Sequence, residues 1–364
     1  MIPYGKQTIL EEDVRAVVEV LNSDFLTTGP KVREFENAIC EYTGAKFCVA
    51  VSSATAGLHL SALALLKKGD EVITTPNSFL ATSNSILYAG GKPIFIDIGE
   101  DGNIDLDLAR EELEKGRAKA LFGVHFSGNP LDFEKLQKIK EDFGIKILED
   151  SAHAIGVPFS GISEISVLSF HPVKNMTTGE GGAVLTNSEE IYQKLLELRN
   201  HGMVKTEEMK PWEYEMRDLG FNYRITDFQS ALGISQLKKL DSFLEKRREL
   251  VKRYEEKFME TVVKPLYKYN PKSAYHIFVV QIDFENLQIS KEELFLKLRE
   301  KDIFIQLHYM PINKQPFYKN LGYGDEYLPQ MEKYYNKALS LPLFPKLTFD
   351  EQDYVIKTLL EILK

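Results

Sequence analysis

Short hydrophobic runs alternate with helical patterns from residue 47 to about residue 187. Between the runs, apolar residues recur at helical spacing in 54–66, 79–90 and 132–144, and the last of these ends on a glycine, as a helix C-terminus often does. This alternation predicts repeated βα units and a mainly parallel, buried sheet. The predicted strands are KFCVAVS (46–52), DEVITT (70–75), KPIFIDI (92–98), KALFGVHF (119–126), IKILED (145–150), ISVLSF (165–170) and GGAVLT (181–186).

The pattern changes after residue 187. Apolar positions at helical spacing predict long helices over 188–200 and from 226 to about 258. A second alternation follows, with predicted strands HIFVVQIDF (276–284) and IFIQLHY (303–309) and predicted helices KEELFLKLREK (291–301) and DEQDYVIKTLLEILK (350–364). We therefore predict an α/β large domain, residues 1–244, followed by a smaller α+β domain, residues 245–364, with the long helix joining them.

Composition narrows the possible partners. The 364 residues include 54 acidic and 45 basic side chains, a net charge of −9, and no basic run is interleaved with aromatic residues, so nucleic acid is not expected as a partner. The longest apolar stretches, such as LHLSALALL, fall far short of the ~20 residues that span a bilayer, which favours a cytoplasmic protein without a membrane partner. Cys40 and Cys48 lack the companions of a disulfide framework or a thiolate metal site, and the histidines show no metal-ligand spacing, so no metal is expected.

Four unusual motifs fall at predicted strand ends, where ligands of open α/β sheets bind. SSATAGL (52–58) follows the first strand and opens a helix, so its hydroxyls and the backbone N–H groups of Ala54 and Thr55 can hold a phosphate. The alternative is an ordinary N-cap. EDSAHA (149–154) ends another strand with Asp150 and then His153. The alternatives are a carboxylate satisfied by loop amides or capping the next helix, and a hydrogen-bonded core histidine.

Lys174 follows the next strand and precedes the turn-forming run TTGEGG. A lysine, an aspartate and a phosphate-binding turn at one sheet edge are what pyridoxal 5′-phosphate (PLP) requires: the lysine forms a Schiff base, and the aspartate keeps the pyridine nitrogen protonated. Phe79, in TTPNSFLAT, could stack on the ring, unless it is a core residue. GEGG differs from the phosphate loop of nucleotide-hydrolysing enzymes because the lysine precedes the glycines, and we expect a tight turn with close backbone approach.

Seven separated motifs occur in order along the chain: SATAGL, TTPNSFLAT, EDSAHAIG, SFHPVKNMTTGEGGAVLTN, LRNHGM, LGFNYRITDFQSALGISQL and LHYMP. Together they resemble the DegT/DnrJ/EryC1/StrS family of fold-type I aminotransferases, which act on nucleotide-activated keto-sugars. The resemblance runs from about residue 3 to the C-terminus. Within the family the chain is most similar to the transaminases that form UDP-4-amino-4,6-dideoxy-N-acetyl-β-L-altrosamine in pseudaminic acid biosynthesis.

The resemblance implies a role for each matching residue. Lys174 matches the Schiff-base lysine, Asp150 the partner of the pyridine nitrogen, His153 the residue beside the cofactor's phenolic oxygen and Phe79 the stacking ring. Phosphate ligands are implied at Ala54, Thr55, Ser169 and, from the other subunit of a homodimer, Asn222. Contacts to the nucleotide-sugar are implied at Tyr4, Asp24, Phe25, Leu26, Thr27, Arg224, His308, Tyr309, Met310 and Pro311.

The expected reaction is a ping-pong transamination. An amino acid, expected to be L-glutamate, converts PLP to pyridoxamine 5′-phosphate, which then aminates carbon 4 of a UDP-linked 4-keto-6-deoxy-N-acetylhexosamine. The alternatives are a transaminase for another keto-sugar, of the bacillosamine type, and a non-catalytic ligand-binding regulator on the same fold. A dehydratase of the same fold would carry histidine in place of Lys174. The chain departs from the family in a shortened 156–166 segment and in Asn175-Met176 after the lysine.

Overall fold

The computed structural model describes all 364 residues. Helices and strands alternate through the first half, as the hydrophobic pattern predicts. The strands are β1 Ile2–Pro3, β2 Phe47–Val51, β3 Glu71–Thr74, β4 Lys92–Phe95, β5 Ala118–Val124, β6 Lys146–Asp150, β7 Ile165–Ser169, β8 Gly182–Thr186, β9 Met203–Val204, β10 Glu215–Met216, β11 Val263–Pro265, β12 Phe278–Ile282, β13 Ile303–Phe304 and β14 Ala338–Leu341.

Thirteen α-helices accompany these strands. They are α1 Glu11–Leu21, α2 Pro30–Thr43, α3 Ala54–Leu65, α4 Leu80–Tyr88, α5 Leu106–Glu114, α6 Phe133–Phe143, α7 Glu189–Arg199, α8 Asp227–Leu237, α9 Leu240–Phe258, α10 Lys291–Glu300, α11 Pro316–Asn320, α12 Pro329–Lys337 and α13 Phe349–Ile362. Short 3₁₀ turns lie at Phe126–Gly128, Phe284–Asn286 and Ile312–Lys314.

The central sheet has seven strands in the order β2-β8-β7-β6-β5-β3-β4. Every pairing from β7 to β4 is parallel, and β8 alone runs antiparallel to both of its neighbours. Alternating residues of the strands pack in two layers because successive side chains point to opposite faces. Val49 and Val184 lie in the layer with α3, whereas Ala50 and Ala183 lie in the layer with Phe35 of α2. The predicted mainly parallel sheet is confirmed.

A smaller antiparallel sheet, in the order β11-β12-β14, organises the C-terminal part. Its core joins residues of α9, α10 and α13, such as Leu250, Leu294 and Leu359, and it also includes Ile2. Ile2 reaches this core because β1 pairs in parallel with β13. The first strand of the chain is thus structurally part of the C-terminal unit, and the domain boundary at residue 245, which falls inside α9, stays a prediction.

Two element predictions are wrong in detail. The helix predicted from 226 to about 258 is two helices, α8 and α9, separated at Lys238–Lys239. At the break, the Lys239 ammonium lies 2.6 Å from a carboxylate oxygen of Asp13, a fully buried side chain of α1. The strand predicted over 303–309 ends at Phe304, after which residues 306–309 line a cavity. None of the helices combines the length and apolar character needed to cross a membrane.

Candidate active site

A cavity of about 570 Å³ lies at the carboxyl ends of the central strands. Its floor is formed by residues that end or directly follow β2, β5, β6 and β7, and residues 306–309 of the C-terminal unit form another wall. Ten of the residues predicted for the site line this cavity. They are Tyr4, Ala54, Thr55, Phe79, Asp150, His153, Ser169, Lys174, His308 and Tyr309.

The start of α3 forms an anion-binding corner of the cavity. Ser53 is the N-cap, and its hydroxyl accepts a hydrogen bond from the Ala56 N–H at 3.1 Å. The N–H groups of Ala54 and Thr55 precede the first intrahelical donors, so they have no acceptor within the helix. Together with the positive end of the helix dipole they favour an anion such as a phosphate. Ser169, at the end of β7, lines the same cavity.

Gly182 lets α3 approach the sheet this closely. A Cβ at this position would lie 2.6 Å from the Ala54 nitrogen and 2.7 Å from the Ser53 carbonyl carbon, distances that real Cβ atoms essentially never show. Gly182 is paired with Val51 on one side and Ser169 on the other. The last glycine of GEGG therefore brings β8 against the helix start, which gives the close backbone approach expected from the sequence.

Asp150 ends β6 and is buried. One of its oxygens accepts a hydrogen bond from the Thr82 hydroxyl at 2.6 Å, and the other accepts from the Ala152 N–H at 3.0 Å. The Ser78 hydroxyl in turn hydrogen-bonds to the Thr82 hydroxyl at 2.6 Å. Burial nevertheless raises the pKa of Asp150, against the opposing effects of these bonds and of Lys174. A cation brought to this carboxylate would offset its cost of burial.

His153 has its tautomer fixed by the backbone. Its Nδ1 accepts a hydrogen bond from the Ser127 N–H at 3.2 Å, so in the neutral ring Nε2 carries the proton. Nε2 lies 3.0 Å from the Tyr309 hydroxyl, to which it can donate. Burial, reinforced by Lys174 and His308, holds the pKa of His153 well below its usual value. The ring is therefore neutral and presents an N–H donor to the cavity.

Lys174 lies in the turn between β7 and β8. The turn is closed by the Phe170 N–H, which donates to the Gly181 carbonyl, and by the Thr178 N–H, which donates to the Phe170 carbonyl. Burial lowers the pKa of Lys174 to about 8, although Asp150 acts in the opposite direction. Near neutral pH the amine is thus available in both its charged and its free form, as a nucleophile and proton carrier requires.

Aromatic side chains form the outer part of the cavity. The Tyr4 and His308 rings lie 5.1 Å apart between centroids, and the Phe79 and Tyr309 rings lie 6.2 Å apart. Phe79 precedes α4 and is 59% exposed, so it is not the core phenylalanine of the alternative interpretation. These four side chains line a space where they can contact both a planar ring and a sugar.

The remaining predicted residues do not line the cavity of a single chain. Arg224 forms an isolated antiparallel bridge with Val51, and Thr27 forms one with Thr226, so both segments lie beside the start of α8 and the end of β2. The residues outside the cavity are Asp24, Phe25, Leu26, Thr27, Asn222, Arg224, Met310 and Pro311. All but Arg224 and Pro311 are exposed.

Comparison with known proteins decides the family. Residues 7–360 match the DegT/DnrJ/EryC1/StrS aminotransferase family. The chain belongs to this family. It is 39% identical to a UDP-4-amino-4,6-dideoxy-N-acetyl-β-L-altrosamine transaminase of Campylobacter jejuni, over 100% of this chain and 98% of that protein.

Solved structures of the aminotransferase family share the fold. Helicobacter pylori PseC, an aminotransferase of pseudaminic acid biosynthesis, superposes with a TM-score of 0.94 at 34% identity, covering 100% of this chain and 99% of PseC. Streptococcus pneumoniae Spr1654 has been solved in a PMP form and a PLP form, with TM-scores of 0.92 and 0.90 at 30% identity. The PMP form covers 100% of this chain and 99% of Spr1654, and the PLP form covers 99% and 98%. These forms support PLP as the cofactor.

The site fits the cofactor that the aminotransferase family implies. The free N–H groups of Ala54 and Thr55 suit a phosphate, the buried Asp150 carboxylate suits a protonated ring nitrogen, and Lys174 suits an aldehyde. Gly182 leaves room for the helix start that a Cβ would displace. We expect these residues to hold PLP.

Sequence reasoning missed four residues that complete this site. Ser78 and Thr82 hydrogen-bond in a chain to Asp150, and Ser127 fixes His153. His276, which the sequence pattern does not single out, lines the cavity with Nε2 3.4 Å from the Lys174 nitrogen. Ser78 and Thr82 lie within the motif TTPNSFLAT, but nothing in the sequence marks either side chain as a partner of Asp150.

Proposed function

We propose that this protein transfers an amino group, with L-glutamate as donor, to carbon 4 of a UDP-linked 4-keto-6-deoxy-N-acetylhexosamine of the pseudaminic acid route. The supporting observation is the meeting of Lys174, Asp150 and the α3 N-terminus in one cavity. The substrate assignment rests on the 39% identity to the altrosamine transaminase and the likeness to PseC.

Lys174, Asp150 and His153 each have a separate role in the proposed reaction. Bound PLP supplies an electron sink for the charge left when a proton leaves the carbon beside the amine. The Lys174 amine, with its pKa near 8, takes that proton and returns it. With the cofactor bound, Asp150 would favour a positive charge on its ring nitrogen, and the His153 Nε2–H, which lies 3.0 Å from the Tyr309 hydroxyl in this chain, would donate to an oxygen on its ring. The carboxylate is held by Thr82 and Ala152, so it is already oriented.

We also propose a homodimer whose two active sites are shared. The charged residues lining the cavity of one chain are Asp150, Lys174 and Glu180, and no arginine is among them. A diphosphate and a dicarboxylate donor need more positive charge than this. Asn222, exposed in one chain, would reach the site of its partner, and so would Arg224 two residues later. The exposed Trp212 and Leu219, 74% and 72% accessible, would be buried in the same interface.

The test of the reaction uses the pyridoxamine form of the purified protein. After removal of the donor, the two UDP-4-keto-6-deoxy-N-acetylhexosamines that differ at carbon 5 are added separately, and return of the PLP absorbance is followed. We expect only the L-arabino epimer to restore it. Restoration by the D-xylo epimer alone would make the protein a transaminase of the bacillosamine type. Lys174→Ala should abolish turnover and leave the fold intact, and full activity of that variant would refute the proposal.

The shared site is tested by mixing subunits. Lys174→Ala and Asn222→Asp should each inactivate their own homodimer, the second by placing a negative charge beside a phosphate. Subunits dissociated and reassociated together should recover about a quarter of wild-type activity, since half of the dimers are mixed and each has one intact site. If the mixture stays inactive while mass measurement shows mixed dimers, residue 222 does not serve the partner's site.

A further inference from the structure

His276 lies beside both Lys174 and His153. Its Nε2 is 3.4 Å from the Lys174 nitrogen, and its ring centroid is 4.5 Å from that of His153. It is buried, and it stands just before β12 in the C-terminal unit, 102 positions from Lys174. No other side chain is hydrogen-bonded to the lysine nitrogen.

The backbone of His276 is held on both sides. Its N–H donates to the Ser127 carbonyl at 2.9 Å, and its carbonyl accepts from Arg247 at 3.0 Å. Arg247 is buried without a carboxylate partner and also donates to the carbonyls of Tyr275 and Leu343. The ring of His276 is therefore presented to Lys174 from a fixed backbone.

The turn Phe126–Gly128 serves both histidines. The Ser127 N–H binds His153 and the Ser127 carbonyl binds His276. At Gly128, φ is +92°, and a Cβ there would lie 2.8 Å from both the His153 carbonyl oxygen and the Tyr275 nitrogen. Only glycine lets the three segments meet this closely.

Asn175 adds a second connection between the lysine turn and this segment. Its side-chain amide donates to the Ala274 carbonyl at 2.9 Å, and Asn175 is buried. Asn175 directly follows Lys174, so residues 274–276 are linked both to the lysine side chain and to the side chain of the next residue. This gives a structural role to one of the two positions at which the chain departs from the family pattern.

The chemistry of the contact follows from the donors available. A lysine ammonium has three donors and no acceptor, so His276 Nε2 must accept from it. The ring can accept because it is neutral: burial, with Lys174, His153, Arg247 and His308 around it, keeps the pKa of His276 well below its usual value. Its Nδ1 then carries the proton and has no hydrogen-bond partner. The hydrogen bond from the lysine offsets the free-energy cost of burying this unpaired N–H.

We propose that His276 is a positioning residue that holds the Lys174 amine, and in particular its protonated form, by accepting a hydrogen bond at Nε2. The contact matters when the lysine is detached from the cofactor and carries the proton between two carbon atoms. This proposal rests on the proposed function, because it assigns His276 to the lysine that carries the reaction.

The test measures the amine itself in the cofactor-free protein. PLP is added at a series of pH values. The rate of covalent attachment is measured from the growth of the absorbance band that the PLP-loaded enzyme shows. Only the free amine attacks the aldehyde carbon, forming the C–N bond and releasing the oxygen as water, so the rate against pH gives the apparent pKa of Lys174. The variants are His276→Leu and His276→Gln, in which the glutamine oxygen can replace Nε2, with Lys174→Ala as the blank.

We expect the apparent pKa of the lysine to fall by about one unit in His276→Leu, because a hydrogen bond to a charged group favours that form. His276→Gln should restore most of the shift. In the loaded enzyme, His276→Leu should lower kcat roughly tenfold and leave KM within about twofold. The other groups that face Lys174, namely Asp150, His153 and His308, are unchanged in both variants.

Two results would overturn the proposal. One is an unchanged apparent pKa in a His276→Leu protein that melts and binds PLP as the wild type does. The other is equal behaviour of the leucine and glutamine variants, which would mean that ring volume and not the acceptor matters. Failure of the wild-type protein to attach PLP at all would instead refute the proposed function, so the two failures can be told apart.

Discussion

Replacing Gly182 with alanine tests whether the start of α3 is the phosphate anchor. The new Cβ would lie 2.6 Å from the Ala54 nitrogen, and ordinary van der Waals contact begins at 3.4 Å, so the helix start must retreat by roughly 0.8 Å. The atoms met are backbone atoms, which cannot rotate away. An N–H···O distance of about 2.9 Å would become about 3.7 Å, which is no longer a hydrogen bond.

Losing one such bond to a charged phosphate costs about 1.5–3 kcal/mol. We therefore expect PLP to bind the Gly182→Ala protein roughly 10- to 100-fold more weakly, measured by titrating the cofactor-free protein and following absorbance. Overpacking should also lower the free energy of unfolding by about 1–3 kcal/mol.

Gly123→Ala is the matched control. Gly123 is another buried glycine of the central sheet, on β5, and its Cβ would meet the flexible end of Leu131 at 2.7 Å. We expect a smaller loss of stability, because the Leu131 side chain can rotate away, and unchanged PLP affinity. If Gly182→Ala binds PLP as tightly as Gly123→Ala does, the α3 N-terminus is not the phosphate anchor.

Two further predictions concern Asp150. In the cofactor-free protein its folded-state pKa is raised, so ionisation opposes folding as the pH rises from about 4 through that raised value. Asp150→Asn should therefore melt at a higher temperature than wild type at pH 7 but at the same temperature below about pH 4, while losing activity; equal melting at both pH values would contradict this. Thr82→Val removes a donor that favours the carboxylate, so kcat should fall about tenfold with Thr82→Ser near wild type, and equal kcat values for the two variants would show that the hydroxyl is dispensable.

The site residues at the strand ends could be predicted because the sequence patterns that mark them are local. Asp150 ends one buried apolar strand and Lys174 comes five residues after the end of another, and parallel strands bring their carboxyl ends to one edge. His276 had no such signal. It comes from the C-terminal unit, and long-range hydrogen bonds to the Ser127 carbonyl and from Arg247 of α9 hold its backbone beside the lysine.

Tertiary contacts also explain the elements that were predicted wrongly. The helical pattern from 226 to 258 continues without a proline or glycine at 238–239, but the buried Asp13 of α1 binds Lys239 where α8 ends. Beyond Phe304 the apolar alternation continues, but the chain leaves the sheet to place His308 and Tyr309 in the cavity. Local propensity could not reveal either contact.

The antiparallel strand β8 has a consequence for how the protein is made. β2 pairs only with β8, which is synthesised more than a hundred residues later. During translation β2 therefore remains unpaired until β8 has been made. The anion-binding corner at the start of α3 can form only after Gly182 has left the ribosome. Slow codons or a chaperone acting between residues 51 and 186 would therefore change the yield of protein able to bind its cofactor, and supplying PLP to nascent chains shorter than this would have no effect.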